Sequence, residues 1–317
     1  MRLNIAIALS LAVLTFYAAA QTVHLSEAYS RVKVENGLII GWNVASEDRQ
    51  ATQVDVYDNN GKLLVTLSPL RLIPEAKRVT IHDVSARPGA FIAVAAVYRK
   101  DNSTVPAGSL LCFDFRGEPL TALALAPSRG AQRLTVDSDG NIWTLTGGAG
   151  DISPSEAPMI VGYNIAGSVL KELFKRSEFP LHAAETQENG EVGSPALGHT
   201  SKDVWFWLPG STDEVTFRTD GSSVRRSTTG LPGHSKKEIP ERLVLTEGGT
   251  LLAQIFDEQL SPRTSEVSFF SRPPSAKVWS RFEPPCSGCF LIGADSENTF
   301  FLKKDRNGSD IYTARLN

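Results

Sequence analysis

Short runs of alternating apolar and polar residues dominate the chain, and turn residues interrupt them at regular intervals. A clear example is Arg133-Leu-Thr-Val-Asp-Ser-Asp-Gly-Asn-Ile-Trp143, in which two such runs flank Asp-Gly. Alternation with a period of two places successive side chains on opposite faces of a strand, and Asp-Gly or Asn-Gly between two runs is typical of a tight hairpin. The best helix-like segment, 169–176, falls where a strand is expected. The pattern predicts an all-β protein built from hairpins.

The hairpins recur along the chain. In four segments a β-branched or aromatic run ends at a turn glycine, and these glycines, at 61, 117, 167 and 221, are 56, 50 and 54 residues apart. A fifth copy has Pro273-Pro274 at the turn, and a second hairpin lies upstream of each pair. Four strands per repeat at this period is the pattern of a β-propeller blade. Six upstream hairpins predict a six-bladed β-propeller of four antiparallel strands per blade, with boundaries near residues 75, 130, 190, 240 and 286.

The last predicted blade has three strands before residue 317, and an unpaired strand edge invites association with other chains. The segment Thr22-Val-His-Leu-Ser-Glu27 precedes the first blade and alternates like a strand. We expect this segment to pair as the fourth strand of the last blade and to close the ring. The alternative is an N-terminal tail.

One repeat carries a family resemblance. Asp137-Ser-Asp-Gly-Asn-Ile-Trp143 resembles the repeat of NHL-type propellers and of streptogramin-lyase-like six-bladed propellers, while the other repeats match only in pattern. The resemblance implies the fold. It implies no function, because these superfamilies include lyases, lactonases, sensors and plain binding scaffolds.

Residues 1–20 have the features of an export signal. Arg2 gives a positive start, an apolar run follows from Ile5 to Tyr17, and Ala18-Ala19-Ala20 suits a cleavage site. The alternative is a membrane anchor, but the run is short for a bilayer span and no basic cluster follows it. We therefore expect a cleavable signal peptide and a secreted or periplasmic protein, in a bacterial host, whose residues 21–317 form one propeller domain without membrane insertion.

Composition excludes few function classes. Charged residues make up 21% of the 317 residues, and the net charge is −3. Nucleic-acid binding needs a basic footprint, so no nucleic-acid partner is expected from this balance. We expect a monomer.

The chain has three cysteines. Cys286 and Cys289 form a C-x-x-C motif, which in an exported protein can close a small disulfide loop. A redox site would place this motif at a helix start, and a zinc site would need two more ligands, so we interpret the pair as a structural disulfide. Cys112 lies in an apolar run and is expected to be a buried free thiol.

Loop lengths and arginines both point to one end of the predicted channel. The long connections, such as 147–158, 182–195, 233–240 and 257–264, all join strand b to c or strand d to the next blade, and these emerge on one face. Long loops on a rigid scaffold often bind ligands, although they also cost little stability. Arg31, Arg78, Arg133 and Arg242 begin four innermost strands near the same face. Guanidinium groups there can bind carboxylates or phosphates; alternatively, they pair with acidic neighbours or cap carbonyl groups.

No catalytic motif is convincing. None of the five histidines has metal-ligand spacing, and G-x-S-x-G is absent. His82 and His199 are expected near the channel, where they could join carboxylates around a divalent cation (Ca or Mg). No cofactor is predicted.

Three functional hypotheses remain open. The first is a non-catalytic binding scaffold that holds a protein or a small anionic ligand on its loop-rich face. The second is a metal-assisted lyase or lactonase with its site at the channel mouth. The third is a purely structural surface protein.

Overall fold

A computed structural model describes residues 22–44, 53–100, 106–126, 129–146, 155–179, 195–208, 211, 213–232, 238–257, 267–304 and 308–316. The expected export signal, residues 1–20, lies outside the described residues. Strands dominate the described part, with 3-10 turns at Pro69–Arg71 and Arg176–Glu178 and no α-helix. None of its helical segments has the length and apolar character that a membrane span requires.

The strands pair as successive antiparallel hairpins: four sheets have four strands each in chain order, and a fifth has eight strands, whose two four-stranded halves we describe as the first and the last sheet. The first sheet contains β2 (Arg31–Glu35), β3 (Leu38–Trp42), β4 (Val54–Asp58) and β5 (Leu63–Leu67). The second contains β6 (Ala76–Arg87), β7 (Phe91–Lys100), β8 (Ala107–Phe113) and β9 (Pro119–Leu125). The third contains β10 (Ala131–Val136), β11 (Ile142–Thr146), β12 (Pro158–Tyr163) and β13 (Val169–Lys175).

The fourth sheet contains β14 (Ala196–His199), β15 (Asp203–Trp207), β16 (Asp213–Arg218) and β17 (Arg225–Thr228). The fifth contains β18 (Glu238–Leu245), β19 (Leu251–Asp257), β20 (Val267–Arg272) and β21 (Ser280–Phe282). The last contains β22 (Phe290–Ala294), β23 (Asn298–Lys304), β24 (Ser309–Arg315) and the N-terminal β1 (Thr22–Leu25), which pairs with β24. One parallel pair, Val34 with Gly293, joins the last sheet to the first. The predicted all-β class, the four-stranded antiparallel sheets and the strand at 169–175 are confirmed.

Turn chemistry explains the repeat. The four aligned glycines, Gly61, Gly117, Gly167 and Gly221, have φ values of 81°, 80°, 83° and 79°. An L side chain is disfavoured in this left-handed region, so each turn requires glycine. The glycine period seen in the sequence is therefore a period of hairpin turns.

The apolar core lies between neighbouring sheets rather than within one of them. Trp143 of β11 packs edge-on against Phe217 of β16, with ring centroids 5.2 Å apart. Both side chains are fully buried. Because each sheet buries both faces against its neighbours, its innermost strand is held in a fixed position.

The N-terminal strand is part of this packing. Val23 and Leu25 of β1 are buried. A Cβ on Gly61, in the turn of the first sheet, would lie 2.4 Å from Val23, so β1 contacts the first sheet while it pairs with the last.

Candidate functional site

The innermost strands of all six sheets surround one central cavity of about 140 Å³. Its walls come mainly from β2, β6, β10, β14, β18 and β22 and the residues that adjoin them, together with Trp42 of β3 and Glu247 of the turn after β18. Sites for drug-sized ligands enclose roughly 300–1,000 Å³, so this cavity suits a smaller molecule.

The structure brings five of the six candidate ligand-binding residues to this cavity: Arg31, His82, Arg133, His199 and Arg242. Arg78 is exposed on β6 and does not line it. Burial and the charge of Arg133 lower the pKa of His82, which favours its neutral form, although Asp83 acts in the opposite direction.

Register shifts in the inner strands lie beside several of the candidate residues. The strand register shifts between Ala76 and Arg78, between Ala131 and Arg133, and between Pro240 and Arg242. A β-bulge adds one residue to one strand and re-aims the side chains beside it. Three of the four arginines therefore follow a bulge directly, a feature that alternation in the sequence does not reveal.

Two of the arginines also connect neighbouring sheets. Nε of Arg133 donates to the carbonyl oxygen of Pro195 at 3.0 Å. A guanidinium nitrogen of Arg242 donates to the carbonyl oxygen of Leu291 at 2.6 Å. These contacts match the structural alternative, in which arginines cap carbonyl groups.

Positive charge gathers at the end of the cavity where the inner strands begin. We call the cationic mouth the three lining arginines, Arg31, Arg133 and Arg242, together with Lys304, which does not line the cavity and donates to the carbonyl oxygen of Ser30 at 2.8 Å. Burial lowers the pKa of Lys304, and the charges of Arg31 and Arg242 lower it further. Burial likewise lowers the pKa of Arg133; Asp83 opposes this effect and Arg31 adds to it. Lys304 is thus close enough to be repelled by Arg31 and Arg242, and Arg133 by Arg31.

Deeper in the cavity, Lys33 crosses from the first sheet to the second and third. Its ammonium group donates to the carbonyl oxygens of Val84 at 3.2 Å and Leu134 at 3.1 Å. It also lies 3.2 Å from a carboxylate oxygen of Glu35 and 3.5 Å from one of Asp83. Burial lowers the pKa of Lys33, but the two carboxylates outweigh burial and the net pKa is raised. Lys33 is therefore charged and links the first three sheets, and we call it the charged brace.

A second chain of hydrogen bonds runs from Glu35 to His199. The hydroxyl of Thr135 donates to Oε1 of Glu35 at 2.7 Å, and Nδ1 of His199 lies 2.8 Å from the same hydroxyl oxygen. Glu35 is paired with an ammonium and acts as a carboxylate, which only accepts hydrogen bonds. Thr135 therefore donates its single hydroxyl proton to Glu35. Nδ1 of His199 must then carry a proton and donate it to the hydroxyl oxygen of Thr135.

Side chains accept hydrogen bonds from backbone N–H groups of the inner strands. Asp83 accepts from the backbone N–H of Leu134 at 2.9 Å, and Ser85 from that of Val136 at 3.0 Å. Gln254 does the same for Leu291 at 2.7 Å. Buried N–H groups need partners; β10 lies at the edge of its sheet, and β22 pairs with β2 only through Val34 and Gly293. These acceptors hold adjacent sheets together and are structural.

The remaining predictions concern metals, cysteines and loops. Within the described ranges, no three His, Cys, Asp or Glu side chains are grouped so that they could hold a metal ion, and the divalent cation stays a prediction. Cys286 and Cys289 are joined as a disulfide, and Cys112 is a buried free thiol whose pKa burial raises to about 12. Most of the long connections lie outside the described residues, so the loop-rich face rests on the sequence alone.

Comparisons with known proteins identify only a fold. No protein-family model and no curated protein sequence matches the chain. A glycoside hydrolase of family GH74 from Niastella koreensis is 12% identical with a TM-score of 0.53, over 92% of this chain and 44% of that one.

Two further solved structures are similar. The streptogramin B lyase structure is 11% identical with a TM-score of 0.49, over 94% and 97% of the two chains. A protein of unknown function from Bacteroides caccae is 10% identical with a TM-score of 0.49, over 88% and 87%. At these identities the similarities to solved structures concern the fold alone.

Proposed function

We propose that this chain is an exported six-bladed β-propeller that acts as a non-catalytic scaffold and binds a small anionic ligand at the cationic mouth. In this proposal each four-stranded sheet is one blade, and β1 completes the last blade and closes the ring. The pairing of β1 with β24 supports closure, and the apolar run of residues 1–20 supports export.

The observation that carries the proposal is positive charge without matching negative charge. Arg31, Arg133 and Lys304 form no ion pair with a described carboxylate. Cations held close together repel each other in the empty site, and an anion that enters relieves this repulsion. The guanidinium fork also matches the oxygens of a carboxylate or phosphate.

The size of the cavity limits the ligands that it can hold. A cavity of about 140 Å³ suits a small carboxylate or phosphate better than a folded protein. Arg31 is the best reporter of binding, because it is exposed and its side chain makes no hydrogen bond or ion pair with a described residue.

Calorimetric titration of the full mature chain with inorganic phosphate and with citrate tests the proposal. We expect binding that weakens as salt is added, and Arg31→Gln should weaken it about tenfold, since hydrogen bonds to charged groups contribute about 1.5–3 kcal/mol. The matched control is Arg281→Gln, an exposed arginine on the outer strand β21, which should leave binding unchanged. Absence of binding by both anions, or equal losses in the two variants, would reject the anion site.

A further inference from the structure

A second cavity, of about 500 Å³, lies at the other end of the channel. Its walls are formed largely by the turns that follow β2, β6, β10, β14, β18 and β22. Three residues line both this cavity and the central one: Asn36, His199 and Glu247. They come from the first, fourth and fifth sheets and therefore stand around the junction. We call these three residues the acceptor collar.

Asn36 offers an oxygen to the junction. Its side-chain amide nitrogen donates to the carbonyl oxygen of Ala86 at 2.8 Å. This contact fixes the orientation of the amide, since a nitrogen and not an oxygen must face the carbonyl. The side-chain oxygen of Asn36 is then left as an acceptor.

His199 offers a ring nitrogen. Its Nδ1 carries the proton that is donated to the hydroxyl oxygen of Thr135. In the neutral imidazole, Nε2 is consequently a lone-pair acceptor. No described residue forms a hydrogen bond or ion pair with Nε2, so this acceptor is available where the two cavities meet.

Glu247 contributes the charge. It is exposed in the turn between β18 and β19 and has no described hydrogen-bond or ion-pair partner. The other charged residues of the second cavity are engaged: Asp137 is bound within its own turn, and Arg87 donates to the carbonyl oxygen of Asp139. With two carboxylates and one guanidinium, the cavity has a formal charge of −2 + 1 = −1 while His199 is neutral.

We propose that the acceptor collar binds the primary ammonium group of a small amine. An ammonium group has three N–H donors and no acceptor, and the collar presents three acceptors from three sheets. One of them is an unpaired carboxylate that complements the positive charge. This site is separate from the cationic mouth and takes the opposite charge.

The test is an NMR titration of the full mature chain with three probes of similar size: n-butylammonium, n-butyltrimethylammonium and 1-butanol. The first has both charge and N–H donors, the second has charge only, and the third is neutral. We expect n-butylammonium alone to shift the resonances of Asn36, His199 and Glu247. Binding of the quaternary probe with equal affinity would overturn the proposal, because the collar would then respond to charge alone.

Variants sharpen the test. Glu247→Gln should weaken n-butylammonium binding about tenfold or more. Glu297→Gln is the matched control: Glu297 is exposed in the corresponding turn of the last sheet and lines neither cavity, so binding should be unchanged. Thr135→Val should also weaken binding and should change the ¹⁵N shifts of His199 from those of a single Nδ1–H form. Unchanged binding in Glu247→Gln, or Zn²⁺ occupying the collar while amines do not, would reject the amine site.

Discussion

Val34 and Gly293 face each other across the innermost strands of the first and last sheets, and a Cβ on Gly293 would lie 2.1 Å from the carbonyl oxygen of Val34. The atom in the way belongs to the backbone, which cannot rotate aside like a side chain. We expect Gly293→Ala to lower the free energy of unfolding by about 1–3 kcal/mol, the usual cost of overpacking. Urea denaturation measures this change.

The matched control for this substitution is Gly198→Ala. Gly198 is also an inner-strand glycine, but a Cβ there would lie 3.4 Å from the Cβ of Leu245, an ordinary contact. Its substitution should change stability by less than half as much. Similar effects of the two substitutions would show that the first and last inner strands are not in close contact in solution.

The turn acceptor Asp137 provides a second prediction. Its carboxylate accepts from the backbone N–H groups of Asp139 and Asn141, from the Asn141 side chain and from Nε1 of buried Trp143. Asp137→Ala leaves the indole N–H buried without a partner, so we expect a loss of about 2–4 kcal/mol.

Asp58 is the natural comparison for Asp137, because its carboxylate accepts only two backbone N–H bonds in a more exposed turn. Asp58→Ala should cost about 1 kcal/mol. Thermal and urea denaturation of both variants would measure the difference, and an equal loss would mean that the indole contact contributes nothing.

The N-terminal strand gives a third prediction. Leu25 is 1% exposed, whereas the side chain of its neighbour His24 is 55% exposed. Leu25→Ala should destabilise the protein by about 2–5 kcal/mol through lost burial and a residual cavity. His24→Ala should cost at most about 1 kcal/mol, because its pair with Asp310 is partly exposed. Chemical denaturation that finds Leu25→Ala harmless would contradict the placement of β1 in the last sheet.

Lys33 should make the free energy of unfolding depend on pH. Because the pKa of Lys33 is raised above its ordinary value of 10.5, the folded state holds this proton more tightly than the unfolded state does. The stabilisation is complete below the ordinary pKa and is lost as the pH rises through the folded-state pKa.

In Lys33→Met the free energy of unfolding should fall less steeply with rising pH in this alkaline range than it does in the wild type. Tyr163, whose pKa is raised to about 12 by burial, titrates in both proteins, so the difference between them isolates Lys33. Urea denaturation across the range, with exposed Lys62→Met as a control, measures it. Parallel curves for wild type and Lys33→Met would argue against the charged brace.

Cysteine labelling tests the disulfide. Alkylation followed by mass spectrometry should add no label to the native protein, because Cys112 is buried and its pKa is raised to about 12. One label is expected after unfolding without reductant, and three after unfolding with reductant. Three labels without reductant would contradict the bond between Cys286 and Cys289.

The sequence predicts the hairpins because its information is local. Gly61 and Gly117 mark turns whose positive φ only glycine adopts readily, and alternation around them gives the strands. The sequence also predicts the arginines at the cavity, because they lie near the start of inner strands. Arg78 does not line the cavity, and its strand β6 has two register shifts, before Arg78 and around His82, that the alternation does not reveal.

The hydrogen bonds and ion pairs inside the cavity cannot be predicted from the sequence. Lys33 and Glu35 alternate with Val32 and Val34 as in any half-buried strand, and nothing local shows that their partners are 50 and 100 residues away. Lys304 was missed for the same reason, because its neighbours Arg31 and Arg242 are brought close only when the sheets are arranged around a common centre.

The bulges beside the arginines affect how the repeats should be compared with one another. Each bulge inserts one residue into an inner strand while its hairpin partner keeps its length. Because the extra residue precedes the arginine, Arg133 and Arg242 both lie seven positions before their turn glycines, Gly140 and Gly249, and only the residues before them move out of phase between repeats. Profiles built from these repeats should be anchored on the turn glycines and allowed a one-residue insertion before each arginine.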